Sequence, residues 1–101
     1  MEIDVNVENE ASTLTLRGRF DFSAHREFRA SYQGAIDDPA ITEVVLNFAQ
    51  VEYVDSSALG MLLLLKEKAT AANKTVILAE CGGFVMDVFQ VVNFQQLFTF
   101  R

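Results

Sequence analysis

Val54-Asp55-Ser56-Ser57-Ala58-Leu59-Gly60, running on into Met61-Leu62-Leu63-Leu64-Leu65, is the stretch whose reading decides the fold. An apolar-rich segment, Val44 to Val54, leads into it. Ser and Asp side chains accept hydrogen bonds from the N–H groups that a helix's first turn leaves without partners, so they favour that boundary. Asp55-Ser56-Ser57 therefore predicts the start of a buried helix, with at least one hydroxyl facing water. Such a hydroxyl is a structural cap, a candidate nucleophile or a candidate phosphorylation site.

Upstream, Ile3, Val5 and Val7 alternate with Glu2, Asp4, Asn6 and Glu8, the period of a half-buried strand. Asn9 to Ser12 is polar enough for a turn. Leu14 and Leu16 alternate with Thr13, Thr15 and Arg17, so a hairpin is expected, punctuated at its end by Gly18. Ser23 is a fair cap for the next helix, in which Ala24, Phe28, Tyr32, Ala35 and Ile36 recur at helical spacing. Asp37-Asp38-Pro39 stops it, because the residue before Pro avoids the α region.

Glu43 to Phe48 reads as a strand buried on both faces, as central strands of α/β sheets are, and Ala49 to Val54 as the connection to the serine pair. The helix behind the pair is expected from about Ser57 to about Ala72. Leu59 to Leu65 is apolar all round, which predicts packing on more than one side. Gly60 weakens that helix by roughly 1 kcal/mol relative to Ala, and a close backbone approach would explain its presence. Thr75 to Ala79 is another buried-type strand. Val85, Val88, Phe89 and Val92 give a short helix stopped at Asn93, and Leu97 to Phe100 is a short last strand. The order β-β-α-β-α-β-α-β implies a mixed, mostly parallel sheet packed with helices, in the α/β class.

Composition narrows the function. With 101 residues, half of them hydrophobic, and nine Phe as core material, the chain suits one domain, residues 1–101. A formal charge of −6 argues against direct nucleic-acid binding and against an anionic membrane surface. There is no signal-peptide pattern at the N-terminus, and the apolar run ending at Leu65 is too short to span a bilayer, so no membrane insertion is expected. One cysteine, Cys81, cannot form an internal disulfide, and a reduced, cytoplasmic protein is the simplest reading. A hydrolytic serine needs a base, and the single histidine, His25, lies in an amphipathic helix. Asp55-Ser56-Ser57-Ala58 is not a nucleophile elbow. One Cys, one His and scattered acids offer no metal site, and Gly82-Gly83 without a P-loop Lys is a weak phosphate seat. An enzyme is not expected, nor a metal or cofactor. The serine pair remains, as a plain cap or as a regulatory site. A phosphate there adds roughly −1.5 to −2 charges that a helix N-terminus tolerates, so it would act on binding and not on folding.

These residues resemble the STAS-domain family, and within it the stand-alone anti-sigma factor antagonists. The resemblance rests on Gly18-Arg19-Phe20-Asp21, on Val44-Val45-Leu46-Asn47-Phe48, on Val54 to Gly60, and on Val85-Met86-Asp87-Val88-Phe89 followed by Asn93-Phe94. Ala58 stands where Gly is commoner, and no C-terminal helix is added after Arg101. The resemblance implies a protein whose unphosphorylated form binds and sequesters an anti-sigma factor or switch-protein serine kinase. Phosphorylation at Ser56 would weaken that binding, and a PP2C-type phosphatase would restore it. It also implies Asp55 as support at the cap, Asp21 as an acid near the phospho-site, Ser57 as a structural cap residue, and Gly60 as part of the motif. A monomer or weak homodimer is expected. The alternative is a constitutive STAS scaffolding subunit of a larger complex such as a transporter ATPase, and such subunits often lack an acceptor serine.

Overall fold

The structure is a computed structural model that describes residues 1–101. The opening alternation forms β1 (Glu2–Glu8), which turns back through Asn9, in the left-handed region at φ 58, into β2 (Ala11–Phe20). Then follow α1 (His25–Asp37), β3 (Glu43–Val54), α2 (Ser56–Ala71), β4 (Thr75–Ala79), α3 (Gly83–Val91) and β5 (Thr99–Phe100). The order is the expected β-β-α-β-α-β-α-β.

The five strands lie in the spatial order β1-β2-β3-β4-β5, antiparallel at β1–β2 and parallel at every later pair. Each parallel crossover moves the chain one strand further in the same direction. Right-handed crossovers that never reverse direction deliver every helix to the same face. The core agrees: Leu14, Leu16, Val44, Leu46, Phe48, Val76 and Leu78 join one buried cluster with Phe28 and Tyr32 of α1, Leu62 and Leu65 of α2, and Val85 and Phe89 of α3. Phe48 is its hinge point, with ring centroids 6.3 Å from Phe20 and 5.3 Å from Phe89.

The helices form a single layer; β3 and β4 are nonetheless buried on both faces, as expected, while the expectations for α2 and β1 are not met. Strands β3 and β4 are covered by helices on one face only. On the other, Val45, Ile77 and Ala79 form a separate small cluster. The register sets Arg101 level with Ala79 and Glu43 level with Thr75, and their side chains approach to 3.8 Å, so this ion pair crosses β4 over Ile77. Helix α2 packs on one side, leaving Leu63 and Leu64 about 40 % exposed, because no second layer exists to cover them. On the edge strand β1 only Ile3 packs against the core, while Val5 and Val7 are exposed.

The strand expected to end at Phe48 continues to Val54. Two register shifts let the twelve residues of β3 run beside the ten of β2, and Gly18, at φ +98, lies at the second shift and not at the end of its strand. Beyond it Arg19 pairs with Tyr53 and Phe20 with Val54. The last strand is shorter than expected, because Phe94–Gln96 takes a 3-10 turn before it.

Candidate functional site

The C-terminal ends of β2 and β3 each lead through one residue into a helical turn, and that of β4 through Glu80-Cys81-Gly82 into α3. At the end of β2 a 3-10 turn, Phe22–Ala24, precedes α1. Asp21 caps it: its Oδ1 accepts from the Ser23 backbone N–H at 3.0 Å and from the Ser23 hydroxyl at 2.5 Å. Ser23, expected to cap α1, is thus a donor to the residue that caps the turn. The Ser23 hydroxyl bond holds the Asp21 carboxyl below the usual carboxylate range, helped by its backbone N–H and by Arg19.

At the end of β3, Asp55 is the N-cap of α2. Its backbone is extended, at φ −116 and ψ −177, and its Oδ1 accepts from the Ala58 N–H at 2.9 Å. Ser57, expected as the cap, lies two residues past the N-cap, inside the helix. Ser56 and Ser57 both occupy the exposed first turn. The Asp55 N–H donates to the Phe20 carbonyl at 3.3 Å, so the two capping residues, Asp21 and Asp55, are brought alongside each other. Ala58, Met61, Leu62, Leu65 and Ala69 anchor α2 in the core behind them. Gly60 faces out, with nothing within 4 Å of the place a Cβ would occupy. The close backbone approach expected there does not exist within this chain.

At the end of β4, Gly82 caps α3 with no side-chain bond, and Gly83 takes φ +52. Phe84 follows, 53 % exposed, its ring stacked on Tyr53 at 6.0 Å and 8°. Arg19 lies over the other partner in that stack, with its guanidinium carbon 4.0 Å from the Tyr53 ring centroid. Phe22 is 73 % exposed beside Asp21. Sequence reading took the phenylalanines as core and missed Phe22 and Phe84. Their positions beside a capping Asp and a Gly pair, at strand ends, were the available signal.

Elsewhere the chemistry is quiet. Burial, with Glu80 adding to it, pushes the Cys81 thiol up to about 12, so the thiol stays protonated at neutral pH. No cluster of three His, Cys, Asp or Glu side chains is placed to hold a metal ion. No helix is long and apolar enough to cross a membrane.

Known proteins are similar to this chain in sequence and fold. Over 93 residues, 92 % of this chain and 90 % of the relative, it is 39 % identical to a STAS-domain containing protein of Pseudomonas aeruginosa. It is 29 % identical to an anti-sigma F factor antagonist of Lysinibacillus sphaericus over 73 residues, 71 % of this chain and 62 % of that one. Among solved structures it resembles the Bacillus cell fate determinant SpoIIAA in its phosphorylated form, with a TM-score of 0.76, 25 % identity, and 99 % and 91 % of the two chains covered. The unphosphorylated anti-sigma factor antagonist SpoIIAA aligns with a TM-score of 0.72 and 28 % identity, covering 88 % and 82 %. Residues 3–99 match the family described as Mlab, STAS domain, and the chain belongs to the STAS-domain family.

Proposed function

We propose that residues 1–101 act as one phospho-switched anti-sigma factor antagonist. The unphosphorylated form binds and sequesters an anti-sigma factor or switch-protein serine kinase. Phosphorylation at Ser56 weakens that complex, and a PP2C-type phosphatase regenerates the binding form. The observation that carries this reading is the division of labour at the start of α2. Asp55 makes the capping bond, so the exposed Ser56 is not needed to hold the helix. The residues behind it, Ala58, Met61 and Leu62, are buried, so the acceptor stands on a fixed element. Asp55 supports that turn from its cap and Asp21 flanks it. Ser57 and Gly60 then belong to the partner surface, together with the exposed Leu63 and Leu64.

A phosphate on Ser56 adds bulk, a hydration shell and negative charge where a partner would pack. The helix N-terminus accepts that charge, so the fold persists while the contact weakens. The test is partner affinity for the wild type, Ser56→Ala and Ser56→Asp. The Ala variant should bind like wild type, and the Asp variant at least tenfold more weakly. Equal affinity across the three removes the switch and leaves a constitutive STAS scaffolding subunit, the reading that the permanently exposed Leu63 and Leu64 also suit.

A further inference from the structure

Arg19 occupies an arrangement that the Ser56 reading leaves unused. Its guanidinium rests on the Tyr53 ring, and that ring stacks on Phe84. Its Nε is 3.8 Å from Asp21 Oδ2, close enough for ion pairing and too far for a hydrogen bond. Asp21 meanwhile has partners of its own in the Ser23 N–H and hydroxyl. Arg19 is therefore held loosely, by a ring face and a carboxylate that has closer partners.

The surroundings of Ser56 create a need for a cation. The Asp55 N–H bond to the Phe20 carbonyl sets Asp21 beside Asp55, and Ser56 is the next residue. A phosphate on Ser56 thus arrives at a site with two neighbouring carboxylates, and the partial positive charge of one helix end, about half a unit, offsets only part of that repulsion. Three of the other cationic side chains are engaged. Arg17 pairs with Asp4, Arg101 with Glu43, and Lys74 donates to the carbonyls of Asp38 and Ile41. Lys66 and Lys68 lie at the far end of α2, and Arg26 and Arg29 lie on α1. Arg19 already reaches the level of the two caps.

We propose that phosphorylation of Ser56 recruits the Arg19 guanidinium, which leaves Asp21 and the face of Tyr53 to grip the phosphate through two parallel N–H···O bonds. The planar guanidinium fork matches phosphate oxygens, and a group bearing nearly two charges outcompetes a single carboxylate and an exposed ring. Withdrawal of Arg19 uncovers Tyr53 and loosens its stack with Phe84. This inference rests on Ser56 as the acceptor. It adds that the phosphate changes the surface at the ends of β2, β3 and α3, not only its charge.

The test uses full-length protein carrying phosphoserine installed at position 56 during synthesis, so no kinase is required. Phosphorus NMR titrates the phosphate in wild type, Arg19→Gln and Arg26→Gln. In wild type the midpoint should fall below the ordinary value of about 6. It should rise in Arg19→Gln by roughly 0.5–1 unit, the low end of what an adjacent arginine does to an acid. It should stay put in Arg26→Gln. The Tyr53 ring resonances should move on phosphorylation in wild type and not in Arg19→Gln. Equal midpoints in wild type and Arg19→Gln overturn the proposal. If partner binding still falls on phosphorylation in that case, the switch at Ser56 stands without Arg19. If binding ignores the phosphate while the midpoints differ, Arg19 holds the phosphate and the switch is what fails.

Discussion

At Asp55 one carboxylate decides which hydroxyls are left over. Its extended backbone and its bond to the Ala58 N–H make it the cap, so both serines fall inside the helix. The sequence marked this turn as a helix start but could not assign the cap among its residues. Asp and Ser share the same capping chemistry, and the choice depends on backbone angles set by how β3 ends. The same ambiguity arose at Asp21 and Ser23. There the pairing predicts a pH effect. The Asp21 carboxyl titrates below the ordinary 3.8 chiefly because the Ser23 hydroxyl donates to its charged form. A depressed carboxylate stabilises the fold fully above its unfolded value, and that contribution is lost as pH falls through the folded value. Ser23→Ala should therefore raise the Asp21 midpoint toward 3.8 and shrink the acid-side loss of stability. Carboxyl carbon NMR during an acid titration reads this directly. An unmoved midpoint would mean that the Ser23 hydroxyl is not the cause.

Helix α2 carries the clearest contrast between pattern and packing. Its run from Leu59 to Leu65 lacks any polar side, and no periodicity could say which leucines face out. The answer depends on how many layers cover the helix, a property of the whole sheet. Its C-terminus was more legible: Asn73 takes φ 60, its N–H bonds the Thr70 carbonyl, and the Lys74 N–H bonds the Ala69 carbonyl, closing a Schellman motif. The glycines divide similarly. Gly60 sits mid-helix with open space around it, so Gly60→Ala should raise stability by about 1 kcal/mol in urea denaturation. Gly18, at φ +98, gives the opposite result, because a Cβ strains that backbone whatever the space, so Gly18→Ala should lose about 1 kcal/mol or more. Two changes of the same sign would show that one of these backbones is misassigned.

Across the whole molecule, the element order was readable from alternation and helical spacing, and the mixed sheet followed from it. The number of helical layers was not, because strand periodicity identifies two faces without saying which one a crossover returns to. The handedness rule applied to an unreversed strand order supplies that missing fact. It also explains the unequal value of the two faces. Phe48 joins Phe20 and Phe89 on the covered side, so Phe48→Ala should cost about 3–5 kcal/mol of unfolding free energy. Val45→Ala, on the thin cluster opposite, should cost less than half of that. Comparable losses in chemical denaturation would mean that the second face is covered by something more than its own side chains.

Strand order identical to chain order has a further consequence, for synthesis. Each strand leaving the ribosome meets its sheet neighbour already made, and none must be threaded between two strands that have paired. The sheet can grow from the β1–β2 hairpin by addition at one rim, each new helix closing over the strands just laid down. By that schedule Asp21, Asp55 and Ser56 are all in place once β3 and the start of α2 have been made, well before the final two-residue strand seals the opposite border.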